Sequence, residues 1–464
     1  MSSSNNNNNH HHHHHHKDPN AKTIVIKLGT SSILSETTQH PKLSILSSLV
    51  ETCHALRVKG HRVVIVCSGA IGMGRLRMKV NERPKSLGER QALAALGQLR
   101  LIALWDSLFG NVGIDVAQVL LTRNDIADRP RYQNARTTLH TLLSSFNAIP
   151  IVNENDTVSV SELRFGDNDT LSAITAGLVD ADYLFLCTDV DGLYTGNPRS
   201  DPNARRLGVV KDVLSARKAV SVATPGSSFG TGGMQTKLIA AELATAAGVS
   251  TVILNGSHPS NILDIIETDL ASQASVPASL ASSTSSLLPP EEAEQVGYPP
   301  LDAPPHTLFL PKANPLPSRK WSILHALHPA GSLIIDEGAF RRIAKADSGG
   351  RLLPAGVVGV EGNWERMQAV RLVVRQAVEA ETRPDVTTDA AGSATTTTTM
   401  TMTGEGAKQP TWKLVEVGRA LANYTSIESE RIKGIKSSQI TSVLGYADSD
   451  YVTEQVALHT FALE

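Results

Sequence analysis

The stretch Arg62-Val63-Val64-Ile65-Val66-Cys67-Ser68-Gly69-Ala70-Ile71-Gly72-Met73-Gly74 decides the fold class. After the leading arginine its first residues are all apolar with no polar alternation, the pattern of a strand buried on both faces. A serine and three glycines follow. Such a turn lets the backbone approach an anion closely, and an ordinary tight turn explains the same residues; both readings stand. Outward from it, Thr23–Leu28, Asp115–Leu121, Ile149–Asn153, Tyr183–Cys187 and Thr251–Leu254 repeat the strand pattern. Pro41–Lys59, Gly88–Phe109, Tyr132–Phe146, Asp169–Leu178 and Met234–Ala247 read as the helices between them. Apolar strands alternating with helices predict a mainly parallel sheet covered on both faces, so residues 21–267 are read as one α/β domain.

The 464 residues allow about three domains at roughly 150 residues each. With 41% hydrophobic and 19% charged residues the chain can build a large core and is not wholly disordered. A formal charge of −2 leaves no global basic field for nucleic acid or an anionic membrane. Cys53, Cys67 and Cys187 form no C-x-x-C pair, which excludes a disulfide framework or a structural zinc site and suits a reducing compartment. No uninterrupted apolar run reaches the ~18 residues of a membrane span. The expectation is a soluble, cytoplasmic protein.

Residues 1–20 are an Asn/His-rich tail, native or a tag, and 268–318 read as a low-complexity linker rich in Ala, Ser and Pro. A second, β-rich domain is expected over 319–464, with Ser332–Ile335, Val357–Val360 and Ala369–Val374 as strands and a Thr-rich insertion at about 378–410 as a surface loop.

Three more turns at predicted strand or helix ends carry candidate chemistry, at the edge where open α/β sheets bind ligands. Lys27-Leu28-Gly29-Thr30-Ser31 sets an ammonium beside a small-residue turn. Asn153-Glu154-Asn155-Asp156 and Gly166-Asp167-Asn168-Asp169 hold more amides and acids than helix capping needs, as a pocket for an amino acid or a metal-bound phosphate would. Gly230-Thr231-Gly232-Gly233-Met234-Gln235-Thr236-Lys237 has the ingredients of a phosphate loop, but Thr236 precedes the lysine and Leu238 follows it, so it is not a Walker A motif. Two lysines at glycine-rich turns with carboxylates between them suit phosphoryl transfer, where positioning and charge neutralisation dominate.

In this order, IKLGTSS, CSGAIGMG, LTRNDIADRPRYQNAR, IVNENDTVS, FGDNDTLSA, LCTDVDGLYTGNPRSDPNA and GTGGMQTKLIAA resemble the glutamate 5-kinases of the amino-acid kinase family over essentially all of 21–267. The runs GSLIIDEGA, GGRLLPAGVVGVEGNW, VGRALANY and VLGYADSD resemble the small PUA β-barrel that follows the kinase domain in many of them. The two low-complexity inserts depart from the usual pattern. The resemblance implies an amino-acid kinase fold, a three-layer sandwich with a mainly parallel central sheet, plus a PUA-like barrel. It also implies ATP-dependent phosphorylation of the γ-carboxylate of L-glutamate, the first step of proline biosynthesis.

By that resemblance Lys27 and Lys237 flank the transferred phosphoryl group, and Asp169 organises them. Ser68, Asp156 and Asn168 match glutamate-binding positions, with the Gly69 and Ala70 amides on carboxylate oxygens. Lys27, Gly29, Thr188, Asp189 and the run Thr231, Gly232, Gly233, Met234, Gln235, Thr236 and Lys237 match nucleotide-binding positions. Mg2+ is expected to bridge the β- and γ-phosphates of ATP, and no protein ligand for it is identified. Further expectations are inhibition by proline, which shares the α-amino and α-carboxylate groups of glutamate, a homo-oligomeric state, and a reductase partner, glutamate-5-semialdehyde dehydrogenase, receiving a labile acyl phosphate. Residues 319–375 carry nine Lys/Arg against five Asp/Glu, only a weak footprint for an RNA contact through the C-terminal domain. Another amino-acid kinase, for acetylglutamate or aspartate, and an RNA-binding protein acting through that domain are the alternative readings.

Overall fold

The computed structural model describes residues 21–378 and 411–459, apart from 36, 83, 85, 123–124, 127, 160–167, 199–200, 220–232, 276–302, 314, 317, 328 and 346–349. The chain divides into two compact units, Met1–Ser322 and Ile323–Glu464.

In the first unit lie β1 (Thr23–Leu28), β2 (Arg62–Cys67), β3 (Val116–Leu121), β4 (Ile149–Glu154) and β5 (Tyr183–Thr188). The short β6 (Leu193–Tyr194) and β7 (Arg206–Leu207) pair separately, and β8 (Val209–Val210), β9 (Ser250–Asn255) and β10 (His306–Phe309) follow. The main sheet has the order β3-β4-β2-β1-β5-β9-β10-β8. Every pairing from β3 to β9 is parallel, whereas β10 lies antiparallel to β9.

Strand alternation assigns the two faces. On β1, Ile24, Ile26 and Leu28 enter a core shared with Leu46, Leu49, Cys53 and Leu56 of the helix Leu43–Val58 and with Leu101, Trp105 and Phe109 of the helix Leu87–Gly110. Val25 and Lys27, one residue out of phase, face the side covered by the helices Asn168–Leu178 and Met234–Ala246. The helix Leu87–Gly110 is long and apolar enough to cross a membrane, but its Leu101, Trp105 and Phe109 are fully buried in this core. It starts at a capping box, in which Ser86 and Glu89 each accept the other's backbone N–H at 3.2 Å.

The helix Ala70–Met78 corrects the reading of the glycine turn. Gly72 and Gly74 lie inside it rather than in an anion cradle. A Cβ on Gly74 would stand 2.0 Å from the Leu93 carbonyl oxygen, and one on Gly97 would stand 1.8 Å from that of Ala70. These glycines let two helices touch backbone to backbone. Gly97→Ala is therefore expected to cost about 1–3 kcal/mol or more, read as a lower urea midpoint; an unchanged midpoint would show that the helices part freely.

Residues read as linker contribute to this unit. The helix Asn261–Ser275 runs past 268, and β10 lies at 306–309. Thr307 is fully buried, with its Oγ1 accepting the Leu193 N–H at 2.8 Å. Trp321, read as part of the second domain, also belongs to this unit: it is buried, donates from Nε1 to the Leu243 carbonyl at 2.9 Å and fills the space a side chain at Gly177 would need. Four residues of strand between Pro-rich neighbours are too short to register in a compositional window.

The second unit is a five-stranded sheet of β11 (Gly331–Ile335), β12 (Val357–Gly362), β13 (Ala369–Val378), β14 (Thr411–Ala422) and β15 (Thr453–Leu458), ordered β12-β11-β13-β14-β15. β13 and β14 form an antiparallel pair that begins at Val378 opposite Thr411, so the Thr-rich tract connects the two strands of a hairpin. A bridge from Leu352 to Thr453 brings the chain entering β12 back to β15. Trp364 and Tyr424 anchor the core, with the indole N–H donating to the Tyr424 carbonyl at 3.0 Å.

The three cysteines are buried. Burial pushes all three thiols up, Cys67 and Cys187 to about 12; near Cys187 the Lys27 and Lys237 charges offset this only in part. An aromatic disulfide reagent at pH 8 is expected to find no reactive thiol in the native protein and three after denaturation. Prompt native labelling would contradict this packing.

Candidate active site

The parallel strands end along one edge, and their order reverses at β1, whose neighbours are β2 and β5. A crevice at such a reversal is the ligand site of open α/β sheets. Register sets Leu28 level with both Cys67 and Cys187, so the turns that follow adjoin. The Ser68 N–H donates to the Leu28 carbonyl at 3.0 Å. Gly69, at φ +111°, takes the left-handed conformation that caps the helix Ala70–Met78.

Lys27, Asp169 and Lys237 meet across this crevice from β1 and the starts of two helices. Lys27 Nζ is 2.5 Å from Asp169 Oδ1, and Lys237 Nζ is 3.3 Å from Oδ2. Thr236 Oγ1 donates to Oδ2 at 2.7 Å. Asp169 is 0% exposed, Lys27 5% and Lys237 6%. Burial pushes the Asp169 carboxyl up, but the Lys27 and Lys237 charges and the hydrogen bonds from Lys27 and Thr236 outweigh it and hold it at about 2. One carboxylate thus balances two ammonium groups, leaving a net positive, nearly dry centre.

This pKa predicts an acid dependence of stability. The folded value lies below the unfolded one, so the group contributes about 2 kcal/mol near neutrality, lost as pH falls from about 4 toward 2. A urea midpoint no more pH-dependent over that window in the wild type than in Asp169→Asn would exclude it.

Beside the charged centre is a chain of amides. Asn168 Nδ2 donates to Ser68 Oγ at 2.7 Å and to Asn153 Oδ1 at 2.9 Å, and Asn153 Nδ2 donates to Gln98 Oε1 at 3.0 Å. Asn168 and Ser68 were both expected here. Gln98 was not, although a glutamine beside Ala94 and Leu101 on the buried face of its helix is the signal that could have found it.

The remaining expected residues distribute along the same edge. Asp156 is half-buried in the turn after β4, with its N–H on the Glu154 carbonyl at 2.9 Å. Thr188 ends β5 and donates to Asp189 at 3.1 Å. Gly233 caps the helix that Met234, Gln235, Thr236 and Lys237 begin, and Gly29 precedes the short helix Thr30–Ile33. Ala70 is the buried first residue of its helix. Thr231, Gly232, Gly166 and Asp167 lie outside the described residues.

Among the described residues no three His, Cys, Asp or Glu side chains gather as a metal cage. Both Asp169 oxygens already face ammonium groups. The donor set therefore fits an anionic ligand rather than a protein-held cation.

A family profile described as the Amino acid kinase family matches residues 22–255. A "Probable glutamate 5-kinase" of Schizosaccharomyces pombe is 45% identical over 431 residues, 93% of this chain and 91% of the relative. The glutamate 5-kinase of Nostoc punctiforme is 40% identical, over 93% of this chain and 97% of its own. Among solved structures, a carbamate kinase from Giardia lamblia bound to AMP-PNP is 18% identical at a TM-score of 0.40, over 53% of this chain and 96% of its own. With its mostly parallel, helix-covered sheet and full-length relatives, the chain is a kinase belonging to the amino acid kinase family.

Proposed function

We propose that this protein transfers the γ-phosphoryl group of ATP to the γ-carboxylate of L-glutamate, giving L-glutamyl 5-phosphate and ADP, the first step of proline biosynthesis. The observation that carries the reading is the buried Lys27–Asp169–Lys237 cluster at the sheet reversal, two cations held by one carboxylate beside a chain of hydrogen-bonded amides. The names of the full-length relatives supply the substrate.

A carboxylate is ionised at neutral pH and needs no general base. Its oxygen attacks the γ-phosphorus as the bond to the β,γ-bridging oxygen breaks, and the electron pair leaves with ADP. Lys27 and Lys237 neutralise the charge that spreads over the transferred group, and Asp169 keeps both ammonium groups aimed at it. Asp156 and Asn168 take the substrate ammonium, while Ser68 and the Gly69 and Ala70 amides take its α-carboxylate. Gly29, Thr188, Asp189 and the Thr231–Lys237 segment hold the nucleotide. Mg2+ would be carried by the nucleotide phosphates rather than by a protein cage, and would supply further charge neutralisation for the transfer.

Proline fits the same α-amino and α-carboxylate contacts and is the proposed feedback inhibitor. Lability of the acyl phosphate suits a reductase partner, glutamate-5-semialdehyde dehydrogenase. The second unit is read as a PUA-like module with at most a weak RNA contact, and the enzyme as a cytoplasmic homo-oligomer.

Hydroxylamine traps an acyl phosphate as a hydroxamate. ATP-dependent hydroxamate is expected from glutamate, with acetylglutamate and aspartate far weaker, and with yield falling as proline is titrated. Stronger activity with either of those acids would reject the glutamate assignment.

A further inference from the structure

The direction of the hydrogen bonds beside the charged centre is fixed by one backbone group. The Glu154 N–H can only donate, and it donates to Asn153 Oδ1 at 2.9 Å. Asn153 is thereby oriented: its oxygen also accepts from Asn168, and its nitrogen must donate, finding Gln98 Oε1 at 3.0 Å. Asn168 follows in turn. Its nitrogen is spent on Asn153 and Ser68, which leaves Oδ1 as an acceptor, buried and without a partner among the described residues. Ser68 Oγ accepts from Asn168, so its own hydrogen remains to be donated elsewhere. At the far end, Gln98 is 9% exposed and its Nε2 is buried without a partner among the described residues.

A buried amide donor with no partner among the described residues costs stability, and Gln98 carries that cost while its oxygen serves Asn153. We propose that Gln98 is a positioning residue for substrate recognition. With the sense of the relay set by the Glu154 N–H, the acceptor at Gln98 holds the Asn153 amide in place from its other end, so that the site keeps an acceptor, Asn168 Oδ1, for the substrate ammonium and a hydroxyl donor, Ser68, for its α-carboxylate. The role rests on the glutamate reading given above, since an α-amino acid zwitterion is the ligand whose two ends need this polarity.

Gln98→Met keeps the volume and removes the acceptor, whereas Gln98→Glu keeps an oxygen facing Asn153. Q98M is expected to raise the KM for glutamate about tenfold, the scale of one lost polar contact, with the KM for ATP within about twofold. Q98E is expected to recover most of that loss. The Tm of Q98M should stay within a few degrees of wild type, because one orphaned group replaces another. An unchanged glutamate KM in Q98M overturns the proposal. So does Q98E being as impaired as Q98M, or a Q98M protein that fails to fold, since either marks a structural residue. Wild-type protein that makes no hydroxamate from glutamate refutes the substrate reading instead, which keeps the two failures apart.

Discussion

Asp169→Asn is expected to lower kcat by about 10³-fold or more, the scale of losing preorganised charge at a phosphoryl-transfer centre. Asn matches Asp in shape but brings no charge to two ammonium groups that now stand at 2.5 and 3.3 Å from it. Lys27 and Lys237 would repel each other in a nearly dry site and lose their common aim. Removing one partner of a buried ion cluster also destabilises the fold, by about 3–5 kcal/mol. Added MgATP brings the missing negative charge, so it should raise the Tm of the variant more than that of wild type. Near-normal turnover by a folded Asp169→Asn protein would show that the cluster is structural only.

Lys27→Ala and Lys237→Ala are each expected to cost about 10²–10³ in kcat, with a smaller effect on the KM for glutamate. Each lysine stabilises charge that develops as the phosphoryl group moves, so its removal is felt in the transition state more than in ground-state binding. The two losses should be far from additive, because each substitution also leaves Asp169 with a single cation. Arginine is not expected to restore either activity. Its planar fork needs more room than a point ammonium packed at 5% or 6% exposure. Hydroxamate yields equal to wild type in both alanine variants would reject the assigned centre.

Much of the catalytic unit was legible locally. Each expected strand of the first domain was found within a residue at its start and its end, because an apolar run marks a strand over its own length, both in the buried strands and in the partly exposed edge strand β3. Helix ends shifted by up to three residues, as at Tyr132 against Arg129, where Asp128 caps the helix one turn earlier by accepting the Arg131 N–H at 3.0 Å. The helix Ala70–Met78 was hidden by its own glycines, which read as a turn until their neighbours are known.

The alternation of strand and helix, the turns at the sheet's edge and the identity of the residues there are written locally in the chain, because periodicity and turn chemistry are properties of a few adjacent residues. Packing was needed to show that Gly74 lies in a helix contact rather than at an anion, with Gly97 opposite it, that 306–322 completes the first unit, and that a single carboxylate holds two lysines. It alone joined Gln98 to Asn153 and Asn168. These depend on which distant groups the packing brings within 3 Å or so, and no local pattern records that distance.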